Sequence, residues 1–380
     1  MRRHSAAKNT PVRRGGLGMA VVMTLLAAGA PSTSAATETV LHTFGGSGDG
    51  SSPTAGLLNL KRAMYGTTLG GGTYGFGTVY TITTDGTEAV LYSFGNNGDG
   101  TGPGGSLIDV KGTPYGLTEN GGAHDLGTVF SITPGGTETV LHSFAGGSDG
   151  AQPAGVGLID VKGRLYGTTS EGGTYGLGTV FSITPDGKEK VIYSFGNGSD
   201  GALPESSLID IKGLMYGTTF GGGANGFGTV FSITPRGTET VLHSFGSNDD
   251  GASPYGAGLI EEKGMLYGVT VAGGTYGHGT AYSITPAGTE TVLHSFGNGA
   301  DGSGPAASLL GNTGMLYGTT FEGGDNGFGT VFSITPGGTE TVLHSFGDGT
   351  DAGGPEGVLI NVKGTLYGTT LDGTVFSITR

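Results

Sequence analysis

Apolar and polar residues alternate in short runs along most of the chain. In residues 179–184, Val180 and Ser182 fall on one face of an extended chain, and Phe181 and Ile183 fall on the other. This two-residue period is typical of a β-strand, and apolar side chains on both faces predict a strand that is covered on both sides. The repeated part of the chain shows no helical period, so we predict an all-β fold.

Four such runs make up one unit, which is clearest at residues 157–195. We predict its strands at residues 158–161, 165–169, 179–184 and 190–195. Lys162-Gly163 separates the first two runs, as expected for a two-residue hairpin turn, and Pro185-Asp186-Gly187 separates the last two. A longer glycine-rich segment joins the second run to the third. Four antiparallel strands connected in this way are typical of a β-propeller blade.

The unit occurs seven times at intervals of 50 or 51 residues. A period of this length indicates a repeat architecture. The tyrosine of the second run recurs at Tyr65, Tyr115, Tyr166, Tyr216, Tyr267, Tyr317 and Tyr367. The phenylalanine that closes the unit recurs at Phe44, Phe94, Phe144, Phe195, Phe245, Phe296 and Phe346.

The two ends of the repeated region are incomplete units. Residues 37–44 read as a fourth strand without the first three, and residues 373–380 read as a third strand without a fourth. Pairing the two would complete one blade and would leave no exposed sheet edge. We therefore predict a seven-bladed β-propeller of four-stranded antiparallel blades, closed by the N-terminal strand completing the C-terminal blade.

The phrase LYGTT…GG…GxGTVFxITPxGTETVLHSF resembles the GloVer tandem-repeat family, also called choice-of-anchor repeat proteins, over residues 37–380. The order of strand, Gly-Gly pair, aromatic residue and strand in each copy is similar to that of a kelch blade. Membership of the GloVer family implies an exported bacterial protein with a repeat architecture. It implies no reaction, ligand or catalytic residue.

Residues 1–36 differ from the repeat and predict a secretory signal peptide. A basic leader precedes 14 apolar residues at 17–30, and small residues follow at 34–36. The apolar run is shorter than the roughly 20 residues of a membrane-spanning helix. We expect a secreted chain, extracellular or periplasmic, with no transmembrane segment in the mature part. Because the sequence ends within a strand, we also expect no C-terminal anchor.

Charge and cysteine content exclude several classes of function. Residues 37–380 carry 12 Lys and Arg against 31 Asp and Glu, a net charge of −19. Such an acidic surface repels phosphate backbones, so we expect no nucleic-acid partner. The absence of cysteine excludes disulfides and thiolate metal sites. We expect a monomer without a cofactor.

Strand parity places all the longer loops on one face of the propeller. These are the loops between the second and third strands and the loops between blades, and we name their side the loop face. The two tight turns of each blade lie on the opposite side, which we name the turn face. Loops on a rigid scaffold often carry binding residues, so we expect the ligand on the loop face.

One aspartate recurs in every loop between blades. Its carboxylate predicts either a binding ring for Ca²⁺, a cationic ligand or a sugar, or a turn in which it bonds to its own backbone. We favour the turn and expect no metal, since one carboxylate per loop is too few for calcium. The seven residues are Asp49, Asp99, Asp149, Asp200, Asp250, Asp301 and Asp351.

Tyr74, Tyr175 and Tyr276 occupy matching loop positions. Their rings could stack on sugars or could cover the glycines of their own loops. A histidine near the end of the fourth strand occurs in five copies, but tyrosine replaces it in the other two, so we expect a hydrogen-bonded ring rather than a metal ligand. The histidines are His42, His142, His243, His294 and His344, and the tyrosines are Tyr92 and Tyr193.

Residues that break the repeat offer the only candidates for catalysis. In the second copy these are Glu119, His124 and Asp125. A catalytic site needs an asymmetric cluster of this kind. We favour a binding or scaffold module for an extracellular polysaccharide or another surface protein. The alternatives are a carbohydrate-active hydrolase or lyase and a purely structural cell-surface protein.

Overall fold

The computed structural model describes residues 36–380, apart from residues 47, 97, 154–156, 247–248, 257 and 350. The predicted signal peptide, except for Ala36, lies outside the described residues. Within them, seven four-stranded antiparallel sheets form the blades of a β-propeller. The predicted fold class is therefore confirmed. We number the blades 1 to 7 in the order of their first strands.

The strand bounds repeat closely from blade to blade. The first strands are Leu58–Leu60, Ile108–Val110, Ile159–Val161, Ile209–Ile211, Ile260–Glu262, Leu310–Asn312 and Ile360–Val362. The second strands are Ala63–Thr68, Thr113–Thr118, Arg164–Thr169, Leu214–Thr219, Met265–Thr270, Met315–Thr320 and Thr365–Thr370. The third strands are Thr78–Ile82, Thr128–Ile132, Thr179–Ile183, Thr229–Ile233, Thr280–Ile284, Thr330–Ile334 and Thr374–Thr379. The fourth strands are Glu88–Ser93, Glu138–Ser143, Glu189–Ser194, Glu239–Ser244, Glu290–Ser295, Glu340–Ser345 and, in blade 7, Thr37–Thr43.

The N-terminal strand closes the ring as predicted. Thr37–Thr43 pairs antiparallel with Thr374–Thr379, and the Phe44 amide donates to the Gly373 carbonyl at 2.7 Å. The first strands of blades 7 and 1 also contact each other, as do those of several other neighbouring blades. The first strands therefore surround the central axis, and the fourth strands form the outer edge.

The hydrophobic cores lie between blades rather than within them. Phe195, which closes blade 3, packs edge to face against Phe231 of blade 4, with ring centroids 5.1 Å apart. Both rings are fully buried, together with Val180 and Met215 from the same pair of blades. The same arrangement recurs around the ring. Each blade is thus stabilised by its neighbours, which explains why the third strand is apolar on both faces.

A glycine in each second strand lies beneath the aromatic ring of the third strand. At Gly167, an added Cβ would lie 2.7 Å from Phe181 Cζ and 3.0 Å from Leu158 Cδ2. Real Cβ atoms do not approach so closely, so a side chain here would displace the ring that fills the core. The equivalent residues are Gly66, Gly116, Gly217, Gly268, Gly318 and Gly368.

We expect the change Gly167→Ala to lower the free energy of unfolding by about 2 kcal/mol, because it overpacks a tightly filled core. Denaturant unfolding measures the effect. Gly221→Ala is a matched control, since its backbone is not left-handed and the nearest atom to its Cβ would be 4.0 Å away. Equal stability of the two variants would contradict the packing explanation.

The loops between blades and the loops between second and third strands meet on one face. Gly50–Ser51, which follows blade 7, pairs with Gly70–Gly71 in blade 1. The same pairing joins Gly100–Thr101 to Asn120–Gly121 and Gly251–Ala252 to Ala272–Gly273. Both kinds of loop therefore form a continuous loop face. A short 3₁₀ helix, Gly147–Asp149, lies in the loop before blade 3.

No helix in the described part of the chain has the length and apolar character that a membrane span requires.

Candidate functional site

A variable position of the repeat lies on the loop face. Each loop between blades contains a proline, and the next residue is of five different types among the seven copies. The prolines are buried. Pro204, for instance, lies against Gly178 of the preceding blade, where an added Cβ would be 2.5 Å from the proline Cδ. The residues that follow the prolines are Thr54, Gly104, Ala154, Glu205, Tyr255, Ala306 and Glu356.

These residues line a cavity of about 140 Å³. Six of the seven positions contribute to it, and the seventh, Ala154, lies outside the described residues. Leu69 and Glu119 complete the wall from second-to-third loops, with Gly256 beside Tyr255. Because the lining comes from loops all around the ring, the cavity lies on the propeller axis. We name it the axial pocket.

Three carboxylates and one phenol dominate the chemistry of the axial pocket. Burial raises the pKa of Glu119, Glu205 and Glu356 above the usual value of a glutamate. Burial also raises the pKa of Tyr255, and the charges of the same three glutamates raise it further. The four groups therefore share one electrostatic environment.

The pocket has an apolar side as well. The ring of Phe220 lies edge to face against Tyr255, with centroids 5.8 Å apart. Leu69 lines the wall directly. None of the described residues that line the pocket is Lys, Arg or His, so the three carboxylates have no basic partner among them. This combination suits a ligand that carries a positive charge next to a ring or an aliphatic surface.

The three nominated catalytic residues are not brought together in the pocket. Glu119 lines it, whereas His124 and Asp125 lie exposed at the tip of the same loop. Asp125 accepts a hydrogen bond from the amide of Gly121 at 3.0 Å, which organises the loop. His278, in blade 5, lies against the hydroxyl of Ser303 at 3.2 Å.

The repeated aspartates bond within their own blades. In five blades the carboxylate hydrogen-bonds a histidine Nε2: His42–Asp49, His142–Asp149, His243–Asp250, His294–Asp301 and His344–Asp351, at 2.9 to 3.2 Å. In two blades it accepts from a tyrosine hydroxyl: Tyr92–Asp99 at 2.7 Å and Tyr193–Asp200 at 2.6 Å. Most of these carboxylates also accept a hydrogen bond from the backbone amide of the residue four positions earlier, as Asp99 does from Gly95. Each aspartate thus holds the start of its loop.

A glutamate from the next blade faces each of these pairs. One oxygen of this glutamate is buried without a hydrogen-bond partner at all seven junctions between blades: Glu38, Glu88, Glu138, Glu189, Glu239, Glu290 and Glu340. Burial, followed by the charge of the facing aspartate, raises the pKa of Glu189 to about 8. Burial raises that of Glu138, Glu239, Glu290 and Glu340 to about 7. We name these residues the junction glutamates.

At three junctions the side chains could hold a cation. One ligand atom from each member lies within 4.8 Å of the others in the groups His42, Asp49, Glu88; His142, Asp149, Glu189; and His243, Asp250, Glu290. The sequence analysis did not single out these glutamates. The signal was present, because every copy has a glutamate at the same place in its fourth strand.

The three loop tyrosines are about half exposed on the loop face. Tyr74 and Tyr175 approach glycines at the start of the loop between blades, and both alternatives, stacking on sugars and covering the glycines of their own loops, stay predictions. An added Cβ at Gly95 would lie 3.0 Å from Tyr74 Cβ, and one at Gly196 would lie 2.8 Å from Tyr175 Cβ. Neighbouring exposed residues such as Phe76 and Phe328 extend the aromatic surface. These aromatic side chains all belong to second-to-third loops on the loop face.

Two segments of the chain, residues 30–219 and 210–379, match the model of the Gloeobacter/Verrucomicrobia repeat. The chain belongs to this family. The Gloeobacter/Verrucomicrobia repeat thus accounts for nearly all of the propeller. The likeness to kelch blades and to choice-of-anchor proteins stays a prediction. A comparison with curated protein sequences returns no significant match.

Solved structures share the fold at low sequence identity. Virginiamycin B lyase from Staphylococcus aureus, in a catalytically inactive form with quinupristin, is 15% identical, with a TM-score of 0.61 over 91% of this chain and 99% of that chain. A streptogramin B lyase is 12% identical, with a TM-score of 0.59 over 91% and 98% of the two chains. A computationally designed protein is 16% identical, with a TM-score of 0.51 over 90% and 99%. Identities this low support the fold alone.

Proposed function

We propose that the protein is an exported binding module that holds an amino-sugar polysaccharide on its loop face. The axial pocket receives the cationic amino group of one sugar. The observation that carries this proposal is the convergence of Glu119, Glu205, Glu356 and Tyr255, all at positions where the copies differ, at one point on the axis. The predicted signal peptide supports export.

The electrostatics of the pocket favour an ammonium group. A partly buried carboxylate has lost some of its hydration and recovers interaction energy when a cation binds beside it. Three such groups without a basic partner make the pocket strongly attractive to one positive charge. The net charge of −19 in residues 37–380 also steers cationic ligands toward the protein.

The aromatic residues favour a sugar as the bearer of that charge. Tyr255 and Phe220 offer ring surfaces at the pocket, on which the apolar face of a sugar can pack. Tyr74, Tyr175 and Tyr276 offer further exposed rings on the same face of the propeller. Several weak contacts along one polymer add through effective concentration, so a polymer binds more tightly than its monomer.

We expect a glucosamine hexamer to bind the native chain at least about tenfold more tightly than the double variant Glu205→Gln/Glu356→Gln, because the variant removes two of the three charges without changing shape. Calorimetric titration measures the affinity. The control is Glu171→Gln/Glu322→Gln, which removes two charges from other second-to-third loops of the same face. Equal binding of the N-acetylated hexamer, or no loss in the pocket variant, would contradict the proposal.

The same reagents distinguish the alternative functions. Release of shortened or unsaturated sugars during incubation would indicate a hydrolase or lyase, and Glu119 would be the first residue to substitute. Failure to bind any glycan on a broad array, with and without Ca²⁺, would favour a structural protein or one that binds another surface protein.

A further inference from the structure

A lysine occupies the first position of the turn between the first and second strands in six of the seven blades. The backbone there is left-handed in every blade, with φ between 53° and 59°. The next residue is glycine in six blades, also at positive φ, which defines a type I′ turn. The turn residues are Lys61, Lys111, Lys162, Lys212, Lys263, Thr313 and Lys363.

Lysine is not the residue that this backbone favours. Type I′ turns select asparagine, aspartate or glycine at the first position, because most side chains crowd the backbone at positive φ. Lys111 and Lys212 are exposed. The side chain at the start of the turn supports it instead, as where the Gly112 amide donates to the Asp109 carboxylate Oδ1 at 2.6 Å. The repeated choice of lysine therefore points to its charge.

The turns surround the axis on the turn face, because they join the two innermost strands of each blade. The lysine side chains reach along this ring from blade to blade. Lys263 Nζ would lie 3.1 Å from a Cβ on Gly314 of blade 6, and Lys61 Nζ would lie 3.7 Å from one on Gly112 of blade 2. Arg380 adds a charge to the same ring. Its guanidinium lies over the ring of Tyr317, 4.4 Å from the centroid.

Positive charge is concentrated at this one place in an acidic protein. Nine of the 12 basic residues in 37–380 lie at or beside these turns: the six lysines, Arg62, Arg164 and Arg380. Five acidic residues accompany them, namely Asp109, Asp160, Asp210, Glu261 and Glu262. The centre of the turn face thus has an excess of cations, while the charged side chains that line the axial pocket on the other face are carboxylates.

The turn face lacks the features of two other classes of partner. The large apolar residues that are exposed in the described part of the chain all belong to the longer loops: Tyr74, Phe76, Tyr175, Leu177, Phe227, Tyr255, Tyr276 and Phe328. Among the described residues, the turn face therefore offers no large exposed apolar side chain to insert into a lipid surface and no exposed aromatic ring on which nucleobases stack. Lysine, as a hydrated point charge on a flexible stem, suits carboxylates spread along a polymer.

We propose that this lysine ring is a docking surface for an acidic, uronate-bearing polysaccharide. The polymer lies across the turn face, and each carboxylate contacts one or two lysines. The ring lies on the face opposite the axial pocket and is separate from it. The proposal does not depend on the pocket's ligand.

The test is the binding of a polyuronate oligomer to the double variant Lys111→Asn/Lys212→Asn. We expect about tenfold weaker binding than for the native chain, because two of the repeated contacts are lost. Asparagine favours the type I′ turn, so the melting temperature should stay the same or rise. Retained binding by this folded variant would overturn the proposal.

The control Lys188→Gln/Lys190→Gln removes the same charge from the outer part of blade 3, where Lys188 pairs with Asp186 at 3.0 Å. We expect it to bind the oligomer within twofold of the native chain at low ionic strength. An equal loss in both double variants would show a general charge effect and would overturn the proposal. So would binding to anionic vesicles, or stacking of copies of this chain, that needs Lys111 and Lys212 while the polyuronate fails to bind.

Discussion

A chain that lacks residues 37–44 will melt at least about 10 °C below one that begins at Thr37. The deletion removes the outer strand of blade 7 and leaves the edge of Thr374–Thr379 unpaired. It also removes Phe44, which is buried between blades 7 and 1 and packs against Tyr80 with ring centroids 4.8 Å apart. Loss of one such core phenylalanine alone costs about 3 to 5 kcal/mol. Thermal unfolding followed by circular dichroism measures the difference.

A peptide of residues 37–44 added to the truncated chain should restore part of the lost melting temperature, increasingly so as its concentration rises. A peptide with the Phe44→Ala change is the control and should restore less, because it pairs with the edge but leaves the core unfilled. Equal melting temperatures for the two chain lengths would contradict closure of the ring by this strand.

The free energy of unfolding will be greatest near pH 5 and will fall as the pH rises to 8. The junction glutamates keep their protons in the folded chain well above the usual pKa of about 4.5, since burial raises their pKa to about 7 or 8 at five junctions. Between the usual pKa and the raised pKa of these glutamates, the folded chain binds more protons than the unfolded chain. The free energy of unfolding therefore decreases as the pH rises through this range. The hydrogen bond with Asp250 also raises the pKa of His243 and acts in the same direction. We expect a melting temperature about 5 °C lower at pH 8 than at pH 5.

Glu189→Gln should stabilise the chain by about 1 kcal/mol at pH 8, allowing for the solvent that reaches this half-buried group, and should have little effect at pH 5. Glutamine resembles the protonated acid and can occupy the same place near Asp149. Glu171→Gln, at an exposed carboxylate, is the control. A melting temperature that rises from pH 5 to pH 8 would contradict this explanation. Stabilisation of the native chain by Zn²⁺ at pH 8, lost in Glu189→Gln, would show that a cation rather than a proton satisfies the buried oxygen.

The sequence pattern was sufficient to predict the blades, because the strands and tight turns of each blade depend on residues close together in the chain. The alternation of Val180, Phe181 and Ile183 specifies a strand covered on both sides, and the turn at Lys162-Gly163 specifies a tight hairpin. Repetition every 50 or 51 residues then specifies the number of sheets. The incomplete units at the two ends indicated how the ring closes, and the pairing of Thr37–Thr43 with Thr374–Thr379 confirms it.

The residues of the axial pocket could be predicted only in part from the sequence pattern. Glu119 drew attention because it breaks the repeat, but Glu205, Tyr255 and Glu356 are single residues after a proline, in loops that follow different blades. Nothing in their local sequence indicates that they meet. The junction glutamates were missed for the opposite reason, because they never vary and their partners belong to another blade.

The sequence by itself determined the strands, their order and their number, since these follow from periods and turns within about 50 residues. The tertiary structure alone decided which side chains share an environment. Closing seven blades around an axis brings Glu119, Glu205 and Glu356 to one pocket, gathers six lysines on the opposite face, and buries an oxygen of each junction glutamate beside an aspartate. Contacts across a ring depend on distance in space, which spacing along a chain does not encode.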